Sequence, residues 1–278
     1  MSVIELTLII LIGSYFAGLL GSLTGLGGGF IIIPLLTLLL HVDIHYAIGA
    51  SLVSVIATSS GSAAAYVKEG ITNMRLGMFL EIATTAGALA GAILAIYTPT
   101  HYIAILFGLI LILSAIMSLR KKTRQITQHK SYLAQKLKLN SSYPTTDGML
   151  EYGVSNVTGG FFMMLFAGVI SGLIGIGSGA LKVVAMDNIM RIPFKVSTTT
   201  SNFMIGVTAA ASAVVYLQRG YIDPALSMPV VIGVLLGAIT GSKILVQSTS
   251  SKWIRVIFSV IISVLAVQMI YKGVMGKI

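Results

Sequence analysis

The chain has 278 residues, 56% of them hydrophobic and only 9% charged, with a mean hydropathy of +0.96. A soluble domain averages about a quarter charged residues, so this composition excludes one and indicates a polytopic membrane protein. The absence of cysteine excludes disulfides, thiol catalysis and thiolate metal sites, and the formal net charge of +10 is concentrated in one stretch rather than spread over a nucleic-acid-binding face.

Apolar runs fall at 3–24, 28–41, 46–66, 78–97 and 102–119, then again at 156–174, 179–191, 196–217, 225–247 and 253–271. The first opens without a basic region or an Ala-x-Ala site, so it is read as a span and not a signal peptide. Most runs approach the roughly 20 residues that cross a bilayer. The second of each set is too short: a helix over 29–40 would rise only about 18 Å. These pieces are predicted to be half-helices or broken helices, each opening at a glycine cluster. One cluster is Gly25-Leu26-Gly27-Gly28-Gly29, and the other is Gly175-Ile176-Gly177-Ser178-Gly179.

Between the two sets lies a basic stretch, residues 120–148. Arg120, Lys121, Lys122, Arg124, Lys130, Lys136 and Lys138 stand against Asp147, a net +6. A loop this basic between spans fits the cytoplasmic side under the positive-inside rule better than it fits nucleic acid.

The clusters belong to an internal repeat. Offsetting the chain by 150 residues without a gap, from Phe16 to Gly91, pairs 76 positions, of which 19 are identical. Matches at Gly29/Gly179, Ser51/Ser201, Thr58/Thr208, Ser62/Ser212 and Gly91/Gly241 are not what apolar composition alone would give. The predicted fold class is therefore an all-α polytopic membrane protein of two inverted-topology repeats, each of about five helical segments. Residues 1–119 form the first repeat, 120–150 a basic cytoplasmic linker and 151–278 the second repeat. Five crossings per half invert the second half. With the basic loop inside, Lys68, Arg75, Arg191, Lys195, Lys243, Lys252 and Arg255 also fall inside, and both termini fall outside. Lys272 and Lys277 run against this arrangement.

No motif for bond-making chemistry is present, and neither an enzyme nor a cofactor is expected. There is no phosphate-binding Gly-x-x-x-x-Gly-Lys loop, and the four histidines lack metal-ligand spacing. Gly87-x-x-x-Gly91 and Gly237-x-x-x-Gly241 read as helix-packing glycines. The denser clusters, Gly25, Gly27, Gly28 and Gly29 with Gly175, Gly177, Ser178 and Gly179, read as a substrate site, because free N–H groups at a helix start attract an anion. Ser51, Thr58 and Ser62 share one helix face, repeated by Ser201, Thr208 and Ser212. These hydroxyls either line a substrate path or bond back to their own helices. Ser51, Thr200, Ser201 and Asn202, near helix starts, are the substrate-binding candidates. Lys182 follows the second cluster where the first half has Ile32, and a buried lysine suits an anion; the alternative is a lysine that snorkels or pairs with Asp187. Glu81, within the fourth run, could couple protons or simply reach the interface.

On these residues the sequence resembles the TauE/SafE family of membrane transporters (sulfite exporter or toluene-sulfonate uptake permease). The matches are Gly-Leu-Gly-Gly-Gly-Phe-Ile-Ile-Ile-Pro-Leu-Leu at 25–36, Ile-Gly-Ala-Ser-Leu at 48–52, Tyr-Val-Lys-Glu-Gly at 66–70, Gly-Ile-Gly-Ser-Gly-Ala-Leu-Lys-Val at 175–183 and Lys-Val-Ser-Thr-Thr-Thr-Ser-Asn-Phe-Met-Ile-Gly at 195–206. Ser178 departs from the family's usual glycine and Val184 from its usual proline. The resemblance implies transport of a small sulfur-containing anion, such as sulfite, a sulfonate, sulfoacetate or a related organic anion.

The expectation is a multi-pass secondary transporter of the plasma membrane working by alternating access. Its partners are the anion and the lipid bilayer; a homodimer is compatible with the pattern. An anion channel, or a membrane subunit serving a partner complex, is the competing reading. A channel would not saturate, and a subunit would be inactive alone.

Overall fold

The computed structural model describes residues 3–24, 27–119, 131–145, 148–247 and 252–276. Gly25, the basic run 120–130, Asp147 and Lys277, all used in the sequence reading, lie outside the described residues. The helices are α1 (Val3–Thr24), α2 (Gly29–Pro34), α3 (Ile44–Lys68), α4 (Met74–Tyr97), α5 (Thr100–Leu119), α6 (Tyr132–Lys136), α7 (Val157–Ile174), α8 (Gly179–Val184), α9 (Phe194–Gln218), α10 (Pro224–Gln247) and α11 (Lys252–Val274). Among the described residues, six of these are long and apolar enough to cross a membrane. Apolar side chains at Ile4, Leu8, Ile12 and Phe16 are all more than half exposed, one residue per helical turn on α1. A stripe like this is the lipid face of a span. The protein is an all-α polytopic membrane protein.

The two short apolar runs form broken helices. α2 passes into a π-helical turn at Leu35–Leu39, and α8 into another at Ala185–Ile189. Pro34 removes a backbone donor just before the first π-turn, which would explain it locally. The second follows Val184 instead, so proline is not required for the turn. Both end in a non-glycine residue with positive φ, His41 at 52° and Arg191 at 55°.

The main helix contacts join the two sets crosswise: α1 with α10, α7 with α4, α5 with α11, α3 with α9, α4 with α9 and α10 with α3. Exchanging α1 for α7, α3 for α9, α4 for α10 and α5 for α11 returns the same set of contacts. Glycine makes the closest of them. A Cβ on Gly87 or Gly91 of α4 would strike the carbonyl oxygen of Leu165 or Val169 of α7, and one on Gly168 or Gly172 would strike that of Thr84 or Ala88. On the other side, Gly237 and Gly241 of α10 press in the same way on Tyr15 and Leu19 of α1. Small residues let helix backbones approach this closely where lipid supplies no hydrophobic drive.

α3 and α9 cross in opposite directions. Gly49, near the start of α3, packs on the carbonyl of Tyr221, just past the end of α9. The Asn73 N–H, just past the end of α3, donates to Thr200 near the start of α9 at 3.1 Å. α5 and α11 also run antiparallel, since Gly108 meets Ala266 and Ile270 while Gly273 meets His101 and Ala104.

The linker is more than a loop. Its described part folds into α6 and an antiparallel hairpin of β1 (Ser141–Thr145) and β2 (Gly148–Tyr152), in register from Ser141↔Tyr152 to Thr145↔Gly148. The Asp-Gly pair at 147–148 is a hairpin signal that the charge-based reading passed over. Asn73 ties this cap to the bundle. Its Oδ1 caps α4 by accepting from the Leu76 N–H at 3.0 Å, and its Nδ2 donates to the Leu139 carbonyl and the Tyr152 hydroxyl, both at 2.9 Å. Leu139 and Tyr152 are buried against Leu76, Met186, Met190 and Val196.

Burial pushes the Tyr152 phenol up to about 12 from its ordinary 10.0. The folded cap therefore holds this proton more tightly than the unfolded chain does. The resulting stabilisation is intact below about pH 10 and is lost as pH rises toward about 12. A pH titration followed by tyrosinate absorbance and limited proteolysis should show the cap opening in that window. Tyr152→Phe should remove that component, and an unaltered profile in this variant would disprove the assignment.

Candidate functional site

The two glycine clusters meet between α3 and α9. α1 ends where Gly21 packs on Gly27, and α2 then doubles back along it, so that Gly28 lies beside Ala17 and Gly13 beside Leu35. A Cβ on Gly27 would lie 3.3 Å from Ile205 and 3.4 Å from Val55. One on Gly177 would lie 3.0 Å from Val55 and 3.2 Å from Ile205. Gly29 faces Ile176 across the gap, where an added Cβ would lie 3.3 Å from the Ile176 Cα. Val55 and Ile205 sit near the middle of two 25-residue helices, so the clusters meet at about half the height of the bundle.

The local geometry differs between the clusters. Gly27 and Gly177 take matching positive φ values of 81° and 72°. Gly175 caps α7 at φ 67°, with its N–H donating to the Ser171 carbonyl at 2.8 Å. At the next matched position the halves part. Gly28 has ordinary right-handed geometry at φ −75°, whereas Ser178 is left-handed at φ 47°. Glycine is thus absent from the one position of this pair where the backbone favours it. The Ser178 hydroxyl is buried and has no hydrogen-bond partner among the described residues.

The hydroxyl residues divide by role. The Ser51 hydroxyl donates to the Gly175 carbonyl at 2.8 Å, and that of Ser201 to the Gly179 carbonyl at 3.2 Å. Both brace the second cluster. Thr200 accepts from Asn73 and faces the start of α4 and the cap. Thr58, Ser62 and Ser212 bond back to carbonyls four residues earlier, as hydroxyls in membrane helices commonly do. Asn202 is different: it is fully buried, and both Oδ1 and Nδ2 lack partners among the described residues. An unmade amide pair inside a protein is costly, so Asn202 is a candidate polar contact for a ligand.

Lys182 is among the largest fully buried side chains of the protein, and its partner is Glu81 rather than Asp187. Its Nζ donates to the Thr208 hydroxyl and lies 3.7 Å from Glu81 Oε2. Thr208 in turn reaches Glu81 Oε1 at 2.5 Å, and Thr85 donates to the same oxygen at 3.2 Å. Glu81 Oε2 makes no hydrogen bond among the described residues. The lysine comes from α8, the hydroxyl from α9 and the carboxylate from α4, so the pair links the two sets of helices. Thr208 was visible in the sequence only as part of a hydroxyl stripe. The signal that would have joined Lys182 to Glu81 is that the matched positions in the other half, Ile32 and Val231, are both aliphatic. Among the described residues there is no cluster of groups suited to a metal ion.

The family described as "Sulfite exporter TauE/SafE" matches residues 10–269. The chain is similar to the probable membrane transporter protein YunE of Bacillus subtilis, 28% identical over 274 residues that cover 96% of this chain and 98% of that one. It is also similar to the probable membrane transporter protein YdhB of the same organism, 28% identical over 85% of this chain and 89% of the other. A probable membrane transporter protein of Methanocaldococcus jannaschii is 25% identical over 95% of each chain. No solved structure matches.

Proposed function

We propose, from the premise that the chain belongs to the sulfite exporter TauE/SafE family, that it is a secondary transporter of a small sulfur-containing anion across the cell membrane. Sulfite, a sulfonate, sulfoacetate or a related organic anion binds where the two glycine clusters meet and crosses by alternating access. The observation that carries the reading is a fully buried lysine, one turn beyond a cluster that itself lies at half the height of the bundle. An ionisable group at such depth is a functional-site hypothesis by default. The unpartnered groups of Ser178 and Asn202 supply further donors. Residues 1–119 and 151–278 act as inverted repeats that rock against each other, joined by the linker 120–150. The antiparallel crossings of α3 with α9 and of α5 with α11 support this plan. The linker faces the cytoplasm and the termini face outward. Labelling of a unique Lys130→Cys solely from outside would overturn that orientation.

The test is the purified protein in liposomes, challenged with sulfite, thiosulfate, sulfoacetate, taurine, sulfate and simple carboxylates. Saturable uptake of a sulfur-containing anion is expected. Uptake that never saturates would identify a channel, and no uptake of any anion would sink the reading.

Ser178→Gly separates stability from binding. Relieving a left-handed serine should stabilise the protein by about 1 kcal/mol. Removing its free hydroxyl should weaken anion binding several-fold. Thermal unfolding and anion titration on the same sample check both, and unchanged affinity would remove Ser178 from the site.

A further inference from the structure

Lys182 already has a counter-ion, and this constrains any anion that would use it. The ammonium and the Glu81 carboxylate lie 3.7 Å apart in a region where both are buried, and a single threonine hydroxyl bridges them. A second negative charge brought to Lys182 would face the carboxylate across the same few ångströms with little water to screen it, and like charges this close oppose joint ionisation. We infer that Glu81 is a proton-binding site that exchanges with the substrate: the anion takes Lys182 as Glu81 accepts one proton from the open aqueous side. This rests on the anion-carrier reading and names the coupled ion.

The balance is simple. Empty, the site holds an ammonium and a carboxylate. Loaded with a monoanion, it holds an ammonium, the anion and a neutral carboxylic acid. The net charge buried in the site is zero in both states, so neither the empty nor the loaded carrier carries an uncompensated charge through the low-dielectric centre. Without the proton, the loaded state would hold two negative charges against one positive charge. With Glu81 absent altogether, the empty state would hold a lone ammonium. Thr208 is placed to follow the exchange, since its hydroxyl lies within hydrogen-bond reach of both partners and of the Met204 carbonyl at 3.1 Å. Once the carboxyl is protonated, the hydroxyl can turn to Met204.

Few other groups could take this role. The helices packed most closely on α4 are α7 and α9, and the cap adds the buried Tyr152 at its start, bonded to Asn73. α7 contains no titratable residue. α9 brings Lys195 at its exposed start and Tyr216 two turns beyond Thr208, where the Tyr216 hydroxyl donates to the Gly172 carbonyl at 3.3 Å. α8 brings Lys182, and the π-turn after it brings the half-buried Asp187, with a bonding partner of its own. α4 itself adds Arg75 at its exposed first turn, where it donates to the Lys138 carbonyl. The equivalent positions of the other half, Ile32, Thr58 and Val231, keep the hydroxyl and lack both charges, so there is one such site per chain.

The experiment is calorimetric titration of the purified protein with methanesulfonate and with 2-hydroxyethanesulfonate, both monoanions that stay fully ionised near neutral pH. Running each titration in buffers of different ionisation heat counts protons taken up on binding. Wild type is expected to take up about one proton per anion, with affinity falling up to about tenfold per pH unit as pH rises. Glu81→Gln should bind without proton uptake and with affinity independent of pH. Lys182→Met combined with Glu81→Gln removes both charges together, avoids an unpaired buried ion and should bind neither anion. Binding by wild type with no proton taken up overturns the inference while leaving the carrier reading intact. Proton uptake that persists in Glu81→Gln, or in the doubly neutral variant, overturns it as well. If neither wild type nor Glu81→Gln binds either anion, the carrier reading fails and this inference falls with it.

Discussion

Alanine in place of Gly172 is expected to disrupt the α4–α7 contact, although the substitution adds one methyl group. The new Cβ would run into the Ala88 carbonyl oxygen and come within 2.9 Å of the Gly91 carbonyl carbon. Neither can rotate away as a side chain could, so the helices must separate along their length. Overpacking of this kind costs about 1–3 kcal/mol, and more where backbone must move. Combining Gly91→Ala with Gly172→Ala should remove most of the folded protein. Gly61→Ala is the control, because its Cβ would meet the Ala238 Cβ at an ordinary 3.5 Å. Fluorescence-detected size exclusion after heating ranks the three variants. Equal thermal stability of Gly61→Ala and Gly172→Ala would show that the helices do not pack as described.

The second large effect concerns the buried ion pair. Glu81→Ala alone leaves the Lys182 ammonium without its counter-ion and should destabilise the protein by about 3–5 kcal/mol. Lys182→Met alone strands a carboxylate, which can escape part of that cost by binding a proton. The double change to Lys182→Met with Glu81→Ala should be more stable than Glu81→Ala, because no charge remains buried. A double-mutant cycle on unfolding measures the coupling directly. Strict additivity of the two single changes would mean that the pair contributes nothing, and that the two residues do not meet in the native protein.

Much of the architecture was legible in the sequence because membrane helices carry strong, simple signals. The run at 3–24 became Val3–Thr24 and that at 156–174 became Val157–Ile174. The glycine clusters marked the two breaks because dense glycine in an apolar chain is costly without a turn to justify it. Other features were hidden for identifiable reasons. Glu81 and Lys182 lie 101 residues apart on different helices, and helical periodicity contains no information about which helices touch. Local spacing made Asp187 the nearer candidate partner for Lys182. Ser51 and Ser201 stand near helix starts, and their hydroxyls donate to the Gly175 and Gly179 carbonyls, a tertiary contact that no spacing rule encodes. The hairpin at 141–152 was masked by the basic charge around it, which classifies a loop by membrane side and not by shape.

The crosswise packing also bears on how the protein is made. The residues of α1 that seat against Gly233, Gly237 and Gly241 have no counterpart until α10 has been synthesised, and Pro224 follows Thr24 by 200 residues. At about 5–20 residues per second, a ribosome takes about 10–40 s to cover that interval. Throughout it, α1 must hold its place in the bilayer without its main partner, with lipid against the face that Gly18 later offers to Val234. α5 likewise waits for α11, the last helix of the chain. Assembly of these pairs therefore waits on α10 and α11, and a nascent chain released before α10 leaves the membrane with a first helix that lacks its main partner for quality control to find.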